Sequence, residues 1–197
     1  MDPMFHQGNR ELQDAFGSRT LADRLATRGH AAFTEEDAAF IARRPFFFLA
    51  TTDAEGGPDC SFKGGDPGFV RVVAPDLLVF PDYDGNGMFK SLGNIRANPR
   101  VGLLFIAMGA PEERPQRLRV NGTAEVSTDD PLLANFLGGQ MLVRVRPRHI
   151  FRNCPRYIPN MRIVEGSAYV PRAGRTPPEP EWKAGADLRD VVPPRRV

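Results

Sequence analysis

Two short stretches of this chain combine residue types that could hold an anion or a flat ring. The first is Tyr83-Asp84-Gly85-Asn86-Gly87, a glycine-rich turn leading into a helix expected from Met88 to Ala97. A helix start leaves backbone N–H groups unpaired at the positive end of the dipole, which suits a phosphate. Lys90 and Ser91, in the first turn, add a cation and a hydroxyl donor that a phosphate monoester could use. A solvated helix start explains the same residues, because glycine turns precede helices for purely geometric reasons. The run from Asp82 to Gly87 also matches the opening of an EF-hand calcium loop. That loop needs a bidentate Glu at its last position, where this chain has Gly93, and the run follows a strand rather than a helix.

The second stretch, Pro58-Asp59-Cys60-Ser61-Phe62-Lys63-Gly64-Gly65-Asp66-Pro67-Gly68, carries a strand into three glycines before another strand. Glycine permits the close backbone approach that a flat ring lying on exposed amides requires, with Lys63 near its electron-rich edge. An ordinary glycine-rich connection is the plainer reading of the composition. A third stretch holds Arg144, Arg146, Arg148, His149, Arg152, Arg156 and Arg162 with no acid before Glu165. A solvated face is the bland explanation, and contact with an anionic ligand or a subunit fits better than a nucleic-acid groove. Such a groove needs a larger basic surface interleaved with aromatics. His6, His30 and His149 share no ligand spacing, so no metal site is expected. Cys60 is expected to pack within a strand, and Cys154 sits beside cations that could lower its pKa. No covalent nucleophile is indicated, and no catalytic residue is assigned.

The elements that must position these residues follow from periodicity. Apolar residues from Leu12 to Leu25, interrupted at Gly17-Ser18, read as two short helices. Thr34 opens a third, with acids in its first turn and Arg43 in its last, and Pro45 ends it. The middle of the chain turns to short β-rich runs: Phe46 to Thr52, Pro58 to Phe62, Phe69 to Val73, Leu77 to Pro81, Val101 to Ala107, Gln116 to Ser127 and Gln140 to Phe151. A second inserted helix is expected from Pro131 to Leu137. Alternation along the last run turns Val143 and Val145 to one face and Arg144 and Arg146 to the other. Together the runs point to a mainly antiparallel barrel or sandwich with peripheral helices. Beyond Tyr169 the chain becomes rich in Pro, Gly and charge, which predicts an extended tail whose lone Trp182 anchors it elsewhere.

The bulk numbers exclude more than they assign. A length of 197 residues suits one domain with tails, and a net charge of +2 indicates neither nucleic acid nor a membrane surface as partner. Two well-separated cysteines, a charged N-terminus and no long apolar run are read as a cytoplasmic protein without a membrane span.

The order of the central stretches resembles the pyridoxamine 5'-phosphate oxidase-like family of FMN-binding split barrels, from about Phe46 to Val126. Its carriers are Phe46-Phe47-Phe48-Leu49-Ala50-Thr51-Thr52, Gly57-Pro58, Phe80, Lys90-Ser91-Leu92-Gly93-Asn94-Ile95, Asn98-Pro99-Arg100-Val101-Gly102-Leu103-Leu104-Phe105 and Arg117-Leu118-Arg119-Val120-Asn121-Gly122-Thr123-Ala124. The resemblance implies a mainly β protein with α, an antiparallel split β-barrel with peripheral helices. Residues 1–44 would be N-terminal helices packed on the barrel, 45–169 the FMN-binding split barrel, and 170–197 the tail. It implies FMN at the interface of a homodimer, with Lys90 and Ser91 at the phosphate and Ser61, Phe62 and Lys63, running into Gly64, at the ring. Asn86 and Met88 of the longer turn, and Arg117, would also reach the flavin.

The vitamin oxidase itself carries an Arg-x-His substrate motif near its end and an arginine where this chain has Ser61. The resemblance is therefore to an uncharacterised branch of the family. It implies hydride transfer by the flavin to or from an unknown small molecule. A flavin-storage module and an enzyme using the deazaflavin F420 are the alternatives. Two further expectations follow: that the sheet face with Val143 and Val145 packs against the second copy, and that Trp182 docks near the flavin or on the partner.

Overall fold

The computed structural model describes residues 4–109 and 113–194. Three helices lead the chain: α1 (Gln7–Ala15), α2 (Arg19–Ala26) and α3 (Glu35–Ala42). Gly17, at φ 60°, makes the break between the first two, a conformation that costs glycine little. None of the residues of α1 or α2 is buried, whereas α3 sends Phe40 and Ile41 into the core. A reciprocal cap starts α3. The Asp37 N–H donates to Thr34 Oγ1 at 3.2 Å, and the Asp37 carboxylate accepts from the Thr34 N–H at 3.1 Å. The same carboxylate lies 2.6 Å from His30 Nε2. Burial pushes the Asp37 pKa up, but its bonds to His30 and Thr34 outweigh that and hold it below the usual carboxylate value.

Seven strands follow: β1 (Phe46–Thr52), β2 (Pro58–Gly64), β3 (Arg71–Ala74), β4 (Leu77–Tyr83), β5 (Arg100–Ala107), β6 (Gln116–Ser127) and β7 (Gly139–Asn153), with α4 (Lys90–Ala97) between β4 and β5. They form one sheet in the order β2-β1-β5-β6-β7-β4-β3, and every pairing is antiparallel. β2 and β4 are not hydrogen-bonded to each other, yet both line one cleft, so the sheet curls until its two arms face across a split. This is the split barrel.

Alternation along the strands fills the inside. Phe47, Leu49, Leu103, Phe105, Leu118, Val120, Val143 and Val145 are buried, and Phe47 packs on Phe80 and Phe105 with ring centroids 5.0 Å apart in each case. Val143 and Val145 do face inward, but both are fully buried within one chain, so they cannot form the expected contact with a second copy. Arg144 and Arg146 turn outward and pair with Asp130 and Asp76. Cys60 also departs from expectation: it is exposed, on the outward-facing side of the edge strand β2.

Some boundaries move for local reasons. Phe89 takes a left-handed conformation at φ 48°, so α4 begins at Lys90 and not at Met88. The stretch after Asp130 is a short 3-10 turn, Pro131–Asn135, and not a helix to Leu137. The tail folds back on its own chain, where it carries a second 3-10 turn, Glu181–Ala184. No helix among the described residues is long and apolar enough to cross a membrane.

Candidate functional site

The split between β2 and β4 opens into a cavity of about 360 Å³, roofed by the turn that leads into α4. Strand alternation on β2 directs Asp59, Ser61 and Lys63 toward the inside, opposite the buried Thr51, Leu49 and Phe47 of β1. β4 contributes Asp82 and Tyr83, and the start of α4 contributes Lys90 and Ser91. The turn between them is held by an Asx contact, the Met88 N–H donating to Asn86 Oδ1 at 3.0 Å, and Gly87 makes the bend at φ 74°.

Lys63 Nζ donates to Ser91 Oγ at 2.9 Å, and Ser91 is buried. The contact joins β2 to the first turn of α4 and gathers an ammonium group, a hydroxyl and a helix start at one point. Burial lowers the Lys63 pKa, opposed by the carboxylates of Asp82 and Asp59. Across the cleft, Gln140 Nε2 donates to Asp82 Oδ2 at 2.8 Å and to the Tyr83 carbonyl at 3.1 Å. Burial raises the Asp82 pKa, while the Gln140 bond and the charge of Lys63 pull it back down. Burial raises the Tyr83 phenol as well. One end of the cleft thus offers donors to an anion, and the other offers a carboxylate and an amide to neutral polar groups.

Ser61, Phe62, Lys63, Gly64, Asn86, Met88, Lys90 and Ser91 all line this cavity. Arg117 and Trp182 do not. Arg117 projects from the outer face of β6, in register with Ile106 on β5 and Asn153 on β7. Its Nε and the Oδ1 of Asn153 are buried without a hydrogen-bond partner among the described residues. Trp182 stands beside the turn Asp84–Asn86 and lines two neighbouring cavities of about 620 and 630 Å³. Asp59, Asp82 and Gln140 also line the cleft and are not among the residues the sequence points to. Asp82 carries a signal, a carboxylate closing an apolar strand, which the sequence places only at the head of a glycine-rich turn; Gln140 carries none. Among the described residues, no three His, Cys, Asp or Glu side chains cluster to share a metal ion.

A curled antiparallel sheet with a cleft between its two arms, beside a helix start, defines a small split-barrel protein. The sequence model for pyridoxamine 5'-phosphate oxidase matches residues 33–166, more than half of the chain. The chain belongs to the pyridoxamine 5'-phosphate oxidase-like family. No curated protein matches the sequence. Among solved structures, it is similar to HupZ of Group A Streptococcus, at 19% identity and a TM-score of 0.48 over 66% of this chain and 98% of that one. It is also similar to the heme storage protein HutZ of Vibrio cholerae, at 21% identity and a TM-score of 0.41 over 57% and 88% of the two chains. An FMN-binding protein of Syntrophomonas wolfei is similar at 9% identity and a TM-score of 0.43, over 75% and 96%.

Proposed function

We propose that this chain is an FMN-dependent oxidoreductase that acts on a small molecule as a homodimer. The observation that carries this reading is the Lys63–Ser91 contact at the start of α4, inside a cleft lined by glycine-rich backbone. A phosphate monoester there meets the Lys63 ammonium, the Ser91 hydroxyl, Lys90 and the free N–H groups of the first turn, all suited to negative charge. Lys63, expected at the ring, is in this reading shared with the phosphate end. Asp82 and Gln140 then serve the uncharged part of the cofactor, where a carboxylate is not repelled. Bound FMN supplies two-electron oxidation and reduction, and the chain supplies position and electrostatics.

The homodimer reading rests on a face of the sheet. Phe46, Phe48 and Phe62 project outward from β1 and β2; Phe46 stacks on Phe62 and Phe48 meets both edge-on, with centroids 5.3–6.1 Å apart. Leu104 lies in register with Phe48 on the same outward face, and Phe62 is 62% exposed. Since Phe62 also lines the cleft, a second copy seated on this face would close the cofactor's open side. Arg117, outward on the same sheet, would then serve the partner's cofactor.

The test is the absorption spectrum and mass of the ligand that co-purifies, followed by addition of a reduced nicotinamide cofactor. Bound FMN that bleaches on reduction and recovers in air supports the reading. FMN that stays oxidised with every donor reduces the protein to a flavin carrier, and a deazaflavin mass replaces the cofactor.

A further inference from the structure

The tail builds a cavity that the cofactor cleft does not include. Arg172 grips Asp66 through two contacts, Nε to Oδ2 at 2.7 Å and Nη2 to Oδ1 at 2.6 Å. Further along, Lys183 Nζ donates to Asp84 Oδ2 at 2.8 Å, with a Lys183 side chain only 9% exposed. Gly138 makes room for this docking: at φ 70° it faces Pro171, and a Cβ there would meet the proline ring at 2.6 Å. Between the two tethers the tail and the turn Tyr83–Asn86 line a half-open cavity of about 630 Å³.

The walls of this space are flat and apolar: Tyr83, Leu137, Tyr169, Pro171 and Trp182. Cavities of this size and lining take drug-sized ligands, and aromatic rings with prolines favour planar ones. Its charges are uneven. The lining charges are Asp84, Arg172 and Arg175: Asp84 is engaged by Lys183 and Arg172 by Asp66, whereas Arg175 has no acidic partner among the described residues. We propose that this tail-built cavity is a second binding site, taking a flat aromatic molecule that carries an anionic group, its ring among Tyr83, Tyr169 and Trp182 and its charge at Arg175. The cavity and the cofactor cleft share Tyr83, Gly85 and Asn86, so they lie back to back across one turn. The site therefore stands whether or not the cleft holds FMN.

Trp182 is the only tryptophan and lines this cavity and its neighbour, and Arg175, which lines this one alone of the two, tells them apart. The test titrates 2-naphthalenesulfonate and its neutral relative 2-naphthol into the full chain and into Arg175→Ala, reading Trp182 emission. The sulfonate should quench it saturably at one equivalent. Arg175→Ala should weaken the sulfonate by about fivefold at low salt and leave 2-naphthol unchanged, as expected for a charge contact at an exposed rim. Absence of saturable quenching would overturn the proposal, as would equal affinity of the two proteins for the sulfonate. Equal loss for both ligands would also overturn it, because Arg175 would then be shaping the cavity and not binding the charge. Arg175 is exposed, so its replacement leaves the fold intact.

Discussion

Lys63 and Asp82 are drawn from water into the same cleft and respond to pH in opposite senses. Burial raises the Asp82 pKa, so the folded chain keeps that proton to higher pH than the unfolded chain does. Stability contributed through Asp82 therefore falls as pH climbs from 3.8 through the raised folded value. Lys63 runs the other way: its folded pKa is lowered, so stability rises with pH between that value and 10.5. Asp82→Asn should abolish the acidic-side fall. Thermal melts across about pH 4 to pH 7 should show a flatter profile for the variant than for the parent, and parallel profiles would show that Asp82 is not strained by burial.

At the scale of elements, α3 depends on its cap. Thr34 and Asp37 satisfy each other's backbone N–H groups, so Thr34→Ala should cost about 1 kcal/mol in a denaturant melt. The tail depends on its tethers in another way. Lys183→Ala removes the contact to Asp84 and should free Trp182, seen as a red shift of its emission. The loss of global stability should be less than about 1 kcal/mol, since the pair holds only the tail.

These elements also show what could be read from sequence. The strands were legible because buried and outward residues alternate along them, and α3 because Thr34 and Asp37 have cap spacing. The start of α4 lies two residues beyond the expected Met88 because the left-handed Phe89 has no local signature. The docking of the tail was not legible either. Arg172–Asp66 and Lys183–Asp84 join residues about a hundred positions apart, and no periodicity encodes such pairs. The cleft was half legible: Lys63, Lys90 and Ser91 stood out by type beside glycines, while Gln140 becomes part of it only through the pairing of β7 with β4.

At the scale of the whole molecule, alternation separates the two sides of the sheet, but the side with Val143 and Val145 is buried in one chain and is not available to a second copy. Val143 and Val145 close the core of one chain, whereas Phe62, on the opposite side of the sheet, is among the large apolar side chains left exposed. Covering a phenylalanine is worth about 1.5–3 kcal/mol, and a two-fold interface uses it twice. Phe62→Asp should thus convert a dimer to a monomer in sedimentation and weaken FMN at least tenfold. A variant that remains dimeric with unchanged FMN affinity would move the interface elsewhere.

In the proposed reading the phosphate of FMN sits beside Lys63, Ser91 and Lys90 at the start of α4, and titration calorimetry of FMN and riboflavin into the parent and Lys90→Ala decides it. Riboflavin lacks only the phosphate, so it serves as the control within each protein. Lys90→Ala should weaken FMN by about 1.5–3 kcal/mol, the range for a hydrogen bond to a charged group, and leave riboflavin binding equal in the two proteins. A loss as large for riboflavin as for FMN, or no loss for either, would contradict the assignment and take the phosphate away from α4.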